Sequence, residues 1–158
     1  MLIAIKQATQ SDLDTIIQLF SDTIGVVNAK DYSAEQIRVW KGGASKKEKW
    51  LKKISEQYFL IAEIDNRLAG FGSITHDGYL DFMYVSKDHQ GRGVASEIYN
   101  SLEKFAVKKR IDKIVSDVSI TAKPFFEKQG FELLQEQQVA IDGVKLRNYK
   151  MQKPLTVH

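Results

Sequence analysis

The sequence predicts an α+β fold, a mixed and mostly antiparallel sheet flanked by helices. Three observations carry this. Apolar residues recur at helical spacing early in the chain and again after residue 93. Strand-like runs are bounded by the turn pairs Asp65-Asn66, Asp77-Gly78 and Asp142-Gly143. A strand, a glycine-bearing turn and a helix start follow one another between Tyr79 and Leu102. The resulting order is β-α-α-α-β-β-β-α-β-α-β-β.

Ile3 to Gln7 alternates apolar and polar residues, as a half-buried strand does. Ser11 is expected to cap a helix with Leu13, Ile16, Ile17, Phe20 and Ile24 on one face. Ser33-x-x-Gln36 and Ser45-x-x-Glu48 both have capping-box form and predict two short helices. Their apolar faces are Ile37 with Trp40, and Trp50 with Leu51 and Ile54. Tyr58 to Ile64 and Leu68 to Thr75 read as a hairpin, followed by a strand from Tyr79 to Val85. A helix from Gly93 places Val94, Ile98, Leu102 and Phe105 on one face. A right-handed crossover would then set Lys113 to Val118 parallel to Tyr79–Val85. A short helix ends at Gly130, and Glu132 to Ile141 pairs with Val144 to Gln152.

A chain of 158 residues with 43% hydrophobic content suits one domain over residues 1–158. It has no cysteine, which excludes disulfides, thiolate metal sites and a cysteine nucleophile and is consistent with a cytoplasmic location. No apolar run approaches the roughly 18 residues of a membrane span. The start from Met1 to Lys6 is too short and too polar afterwards for a signal peptide. The three histidines, His76, His89 and His158, have no metal-ligand spacing, so no metal is expected. The lysines from Lys46 to Lys53 read as the solvated face of an amphipathic helix rather than a nucleic-acid patch.

The turn Gln90-Gly91-Arg92-Gly93-Val94-Ala95 is the most informative segment. The first amides of a helix lack intrahelical partners and carry the positive end of its dipole. Glycines let a diphosphate approach them. A P-loop would need Gly-Lys-Ser/Thr, and Val94 follows Gly93 here. A dinucleotide fingerprint would need glycine at 96, which is Ser96. The pattern that fits is Gln90-x-x-Gly93-x-Ala95. With the preceding Met83-Tyr84-Val85 it resembles the acyl-CoA-binding signature of the GNAT superfamily of N-acetyltransferases. Ser119 to Phe131 is similar to a second segment of that family, with Ser119 at an Asn place and Phe126 at a Tyr place. The resemblance runs from about Ile3 to Met151. Asp31-Tyr32-Ser33 with Trp40, and Pro124-Phe125-Phe126, look like a bacterial branch of it.

The resemblance implies central strands splayed around acetyl-CoA, with backbone groups of Met83 and Val85 on the pantetheine. The Met83 amide would polarise the thioester carbonyl, with Tyr84 in the same strand segment. The diphosphate would lie on the amides of Gly91, Arg92, Gly93, Val94, Ala95 and Ser96, beside Gln90. Ser119 and Phe126 would complete the cofactor site. By the period of two, Tyr79, Asp81 and Met83 share one strand face. Asp81 is then the candidate general base, through water, or else an ion-pair partner in the sheet. Tyr79 joins it as a catalytic candidate or packs in the core. Tyr32 and Trp40 wall the acceptor cleft or pack the short helices.

Phe126 departs from the family, because it cannot protonate a CoA thiolate as tyrosine does. Ser119, Tyr149 or water would take that role, or the thiolate would leave unassisted, and Tyr149 is also placed at the acceptor site. No G-x-S-x-G context supports a serine acyl-enzyme. The expected function is therefore transfer of an acetyl group from acetyl-CoA to a primary amine of a small molecule or peptide, by direct attack. The alternative is a non-catalytic acyl-CoA-binding module. Expected partners are the amine acceptor, with no nucleic acid and no membrane, and a homodimer is allowed.

Overall fold

Asp65 and Asn66 both hold left-handed backbone, with φ of 52° and 62°. That geometry matches the twist of a two-residue hairpin. It folds β2 (Tyr58–Ile64) onto β3 (Arg67–Ile74). Asp142 and Gly143, with φ of 49° and 79°, do the same for β6 (Glu132–Ile141) and β7 (Val144–Pro154). Both hairpins lie where the turn pairs predict them. The computed structural model describes residues 2–156.

The remaining strands are β1 (Ala4–Gln7), β4 (Leu80–Val85) and β5 (Lys113–Ser119). The helices are α1 (Leu13–Val26), α2 (Ala34–Lys41), α3 (Lys47–Glu56), α4 (Val94–Lys108) and α5 (Lys123–Lys128). The element order agrees with the sequence reading, and the sheet is in two parts. One part runs β1-β2-β3-β4 and the other β5-β7-β6, each antiparallel throughout. The expected parallel pairing of β4 with β5 shrinks to one bridge, Tyr79 to Val115. There the Val115 amide donates to the Gly78 carbonyl at 3.0 Å, and Ser116 Oγ donates to the Leu80 carbonyl at 2.8 Å. Beyond this point the strands part.

Both faces of the first sheet are covered. Leu60, Ala62 and Ile64 of β2 pack toward α4 with Ile98 and Leu102. Phe59 and Ile61, on the alternate face, pack with Ile16, Phe20 and Trp50 of the early helices. Helix α4 lies directly on β3 because Gly70 and Gly72 have no side chains. A Cβ on Gly72 would stand 2.7 Å from Ile98 Cγ2, and one on Gly70 would stand 2.8 Å from the Tyr84 carbonyl oxygen. This close seat fixes where the N-terminus of α4 emerges.

Two helix caps differ from expectation. The first helix is entered through a tight turn at Gln10–Asp12, and the Asp12 carboxylate accepts from the Thr9 amide at 2.9 Å. Thr9, not Ser11, therefore caps it. Ser45 does not begin a capping box either; its hydroxyl donates to the Gly42 carbonyl inside the Gly42–Ser45 turn. The Ser33 box forms as predicted, with Gln36 N to Ser33 Oγ at 3.1 Å and Ser33 N to Gln36 Oε1 at 2.8 Å.

Candidate active site

The turn from Ser86 to Gly93 is held by its own side-chain and backbone hydrogen bonds. Gln90 Nε2 donates to the Val85 carbonyl at 2.7 Å, and the His89 amide donates to the Ser86 carbonyl at 2.9 Å. Gly91 and Gly93 have φ of 71° and 81°, and nothing lies within 4 Å of where a Cβ would stand on either. Their requirement is thus conformational, and the space above them is open. Gly93 caps α4 with no side-chain hydrogen bond, and the first amide to bond back to Gly93 is that of Glu97. The amides of Val94, Ala95 and Ser96 are left for a ligand. Open, partly positive and approached by side-chain-free backbone, this helix end fits a diphosphate.

Along β4 the Ser86 amide bonds to Ala69 of the neighbouring strand. In an antiparallel ladder, alternate residues turn their backbone groups to alternate edges. Met83 and Val85 therefore present theirs to the edge where β5 has diverged. The Val85 carbonyl is already taken, by Gln90 and by Thr23 Oγ1 at 3.1 Å. The Met83 backbone groups and the Val85 amide remain for pantetheine.

The parted strands enclose a cleft of about 610 Å³. On the turn side it is lined by Met83, Tyr84, Val85, Gln90, Gly91 and Gly93 to Ser96, with Ser119 and Phe126 opposite. Tyr32, Trp40 and Asp81 line it beneath the early helices. Three expected site residues lie outside its wall. Arg92 is exposed on the turn. Tyr149 packs under Lys123, whose Nζ sits 4.8 Å from its ring centre. Tyr79 reaches the cleft only through Asp117.

Asp81 sits at a β-bulge. Ile74 pairs with Leu80 and Ser73 with Phe82, so Asp81 has no partner on β3. The bulge breaks the period of two. Asp81 and Phe82 both turn toward α3, while Met83 packs with the α4 core, so Asp81 and Met83 do not share a face. Asp81 Oδ2 accepts from Gln57 Nε2 at 2.8 Å and pairs with Lys53 Nζ at 3.0 Å. Lys53 also lies 4.8 Å from the Phe82 ring centre. Both donors hold the same oxygen, Oδ2, and Asp81 lines the cleft. Lys53 and Gln57 escape the sequence reading because the lysine run looks solvated. The available signal is spacing: Lys53 stands three residues after Trp50, at the edge of the apolar face.

Across the cleft, Tyr79 donates to Asp117 Oδ2 at 2.7 Å, and Gln137 Nε2 donates to Asp117 Oδ1 at 2.7 Å. Burial, then the Asp117 hydrogen bond, raise the Tyr79 pKa far above the ordinary phenol value, so it stays protonated. Tyr84 is likewise raised by burial, with the neighbouring Trp40 indole opposing the shift. The Tyr32 hydroxyl donates to the Arg147 carbonyl at 2.7 Å and accepts from the Ile120 amide at 3.0 Å. It pins the α1–α2 connection to β7 and to the end of β5, and forms a cleft wall whose polar tip is committed. Burial pushes its pKa up as well.

Phe126 is 2% exposed and packs edge-on to Phe125 at 5.6 Å and Phe131 at 5.0 Å. Phe125 also lines the cleft. Ser119 Oγ accepts from the Ala122 amide at 3.1 Å, so its proton is free to point elsewhere. His76 packs against Phe105, and His158 lies outside the described residues. Among the described residues no group of three or more His, Cys, Asp or Glu is placed to hold a metal ion. No described helix is long and apolar enough to cross a membrane.

Comparison with known proteins agrees with this geometry. The model of the acetyltransferase (GNAT) domain matches residues 28–153. The chain belongs to the GNAT acetyltransferase family. The acetyltransferase is 30% identical over 150 residues to an uncharacterised N-acetyltransferase of Escherichia coli strain K12, YafP, covering 94% of each chain. A GCN5-related N-acetyltransferase structure from Rhodopseudomonas palustris superimposes with a TM-score of 0.93 at 31% identity, over 98% of this chain and 99% of that one. The PaiA N-acetyltransferase of Thermoplasma acidophilum, solved with coenzyme A, shares the fold, with a TM-score of 0.81 at 24% identity over 98% and 100% of the two chains.

Proposed function

We propose that this acetyltransferase moves the acetyl group of acetyl-CoA directly onto a primary amine of a small molecule or peptide, in the cleft between β4 and β5. One observation carries the reading. The unpaired Met83 backbone and the open amides of α4 face the same cleft, as one extended thioester with a diphosphate tail requires.

Acetyl-CoA supplies an activated acetyl group on a thiol leaving group. The chain's residues do the rest. The amides of Val94, Ala95 and Ser96 hold the diphosphate. The Met83 N–H donates to the carbonyl oxygen and stabilises charge that develops there. Asp81 Oδ1 takes the proton the amine must lose, through a water, while Lys53 and Gln57 hold Oδ2. The C–N bond forms as the C–S bond breaks, and the sulfur takes a proton from Ser119 or water. Phe125 and Phe126 offer no proton and make that end of the cleft apolar. The need for acetyl-CoA and the lack of cysteine suit a cytoplasmic enzyme.

Acetyl-CoA turnover over a panel of primary amines, with products weighed by mass spectrometry, tests this. An N-acetylated product, and no acetylated protein when the amine is left out, is expected. An acetyl-protein adduct that forms without amine and is chased by it contradicts direct attack. Tight CoA binding with no product from any amine favours a binding module.

A further inference from the structure

The wall of the cleft contains a buried carbonyl oxygen with nothing to bond. Asn148 Oδ1 is shut off from solvent and has no hydrogen-bond partner in the protein. Asn148 stands on β7 two residues after Leu146, which is buried in the core beneath the early helices, so its side chain shares that face. It lines the cleft. Its cross-strand neighbours are Ser119 and Gln137. The Gln137 amide nitrogen is committed to Asp117, and the Ser119 hydroxyl, which accepts from the Ala122 amide, makes no bond to Asn148.

Such an orphan is costly in a folded protein unless a ligand relieves it. On the helix side of the same cleft, Asn28 is 5% exposed, a second amide among apolar walls. Those walls are Trp40, Val139, Ile141 and Leu146. An apolar pocket with a few fixed polar groups orients its ligand through those groups.

We infer that Asn148 is a specificity-determining residue, selecting acceptor amines that carry an apolar body and a hydrogen-bond donor, a hydroxyl or amide N–H, apart from the reacting amine. The donor gives its proton to Asn148 Oδ1 while the reacting nitrogen faces Asp81. This rests on the acetyltransferase reading of the cleft. A site built around a hydrogen bond rejects the analogue that lacks it far more strongly than a purely apolar pocket does.

The test uses pairs of primary amines with the same apolar body, one with and one without a hydroxyl or amide N–H. Wild type should prefer the donor-bearing member in at least one pair by about 10²-fold or more in kcat/KM. Asn148→Leu should bring that preference to within a few-fold, with activity on the plain amine kept or raised. Asn148→Gln should keep part of the preference, and acetyl-CoA affinity should be unchanged in both. Plain amines acetylated by wild type without preference, or a preference intact in Asn148→Leu, would overturn the assignment and leave the acetyltransferase reading standing. Failure of wild type to acetylate any amine would overturn both.

Discussion

Lys53 Nζ lies 3.0 Å from Asp81 Oδ2, joining α3 to the bulge of β4 at the mouth of the cleft. Asp81 is 15% exposed and Lys53 38%, so the pair is partly shielded from solvent. The lysine also rests on the Phe82 ring. Lys53→Met should free the carboxylate to rotate and lower kcat/KM by about tenfold, near 1.4 kcal/mol in barrier. The KM for acetyl-CoA should not change. Lys53→Arg should restore part of the rate. Steady-state kinetics with acetyl-CoA and amine varied separately decide this; a rise confined to the KM for acetyl-CoA would place Lys53 in the wrong role.

Asp81→Asn keeps the hydrogen-bond shape and removes the base. The rate on the true acceptor should fall by roughly 10²–10⁴-fold. Thermal unfolding of the variant, followed in parallel, should show the fold intact. A rate within a few-fold of wild type would leave Asp81 as the sheet's ion-pair partner alone.

Gly93 needs its left-handed backbone rather than space, since φ is 81° and no atom lies within 4 Å of its missing Cβ. Gly93→Val should strain the turn by about 1–3 kcal/mol and weaken CoA binding. Gly93→Asn should bind more nearly like wild type, because asparagine tolerates this conformation. Calorimetric titration with CoA ranks the variants; equal weakening by both would point to blocked approach instead of strain.

Phe126 is packed between Phe125 and Phe131. Phe126→Ala should cost about 3–5 kcal/mol of stability, measured by denaturant unfolding. Phe126→Tyr returns a hydroxyl near the sulfur and should bind CoA with turnover equal to or above wild type. Normal CoA binding with lost turnover would mean that another donor already occupies that position.

Tyr79, Tyr84 and Tyr99 all have pKa values raised well above the ordinary phenol value, each mainly by burial. A neutral group with a raised folded pKa contributes stability that is complete below the unfolded value and is lost as pH rises through the folded one. Tm should hold up to about pH 10 and then fall. Phenolate absorbance of these three tyrosines should rise only with unfolding. Phenolate absorbance from Tyr79, Tyr84 or Tyr99 in the still-folded protein near pH 10 would contradict this.

The hairpins and the diphosphate turn are legible in the sequence because their signals are local. Asp65-Asn66 and Asp142-Gly143 favour left-handed backbone whatever surrounds them, and the spacing of Gly91 and Gly93 sets the start of α4. The bulge at Asp81 depends on register with β3, which no window of sequence contains, and it overturns the face shared with Met83. The grip of Lys53 and Gln57 on Asp81 is tertiary and hides in a lysine-rich helix. Tyr32 reads as a wall residue, yet its ties to Ile120 and Arg147 span 88 and 115 residues of chain. Tyr149 lies outside the cleft wall, and strand alternation alone does not say which face meets the cleft.

The most direct test is a backbone amide NMR titration of the 158-residue protein with acetyl-CoA. The largest shifts should fall on Val94, Ala95, Ser96 and Met83, with smaller ones at Val85 and Ser119. Shifts centred elsewhere, such as on the lysines of α3, with the α4 amides and Met83 unmoved at saturation, would contradict a site between β4 and β5.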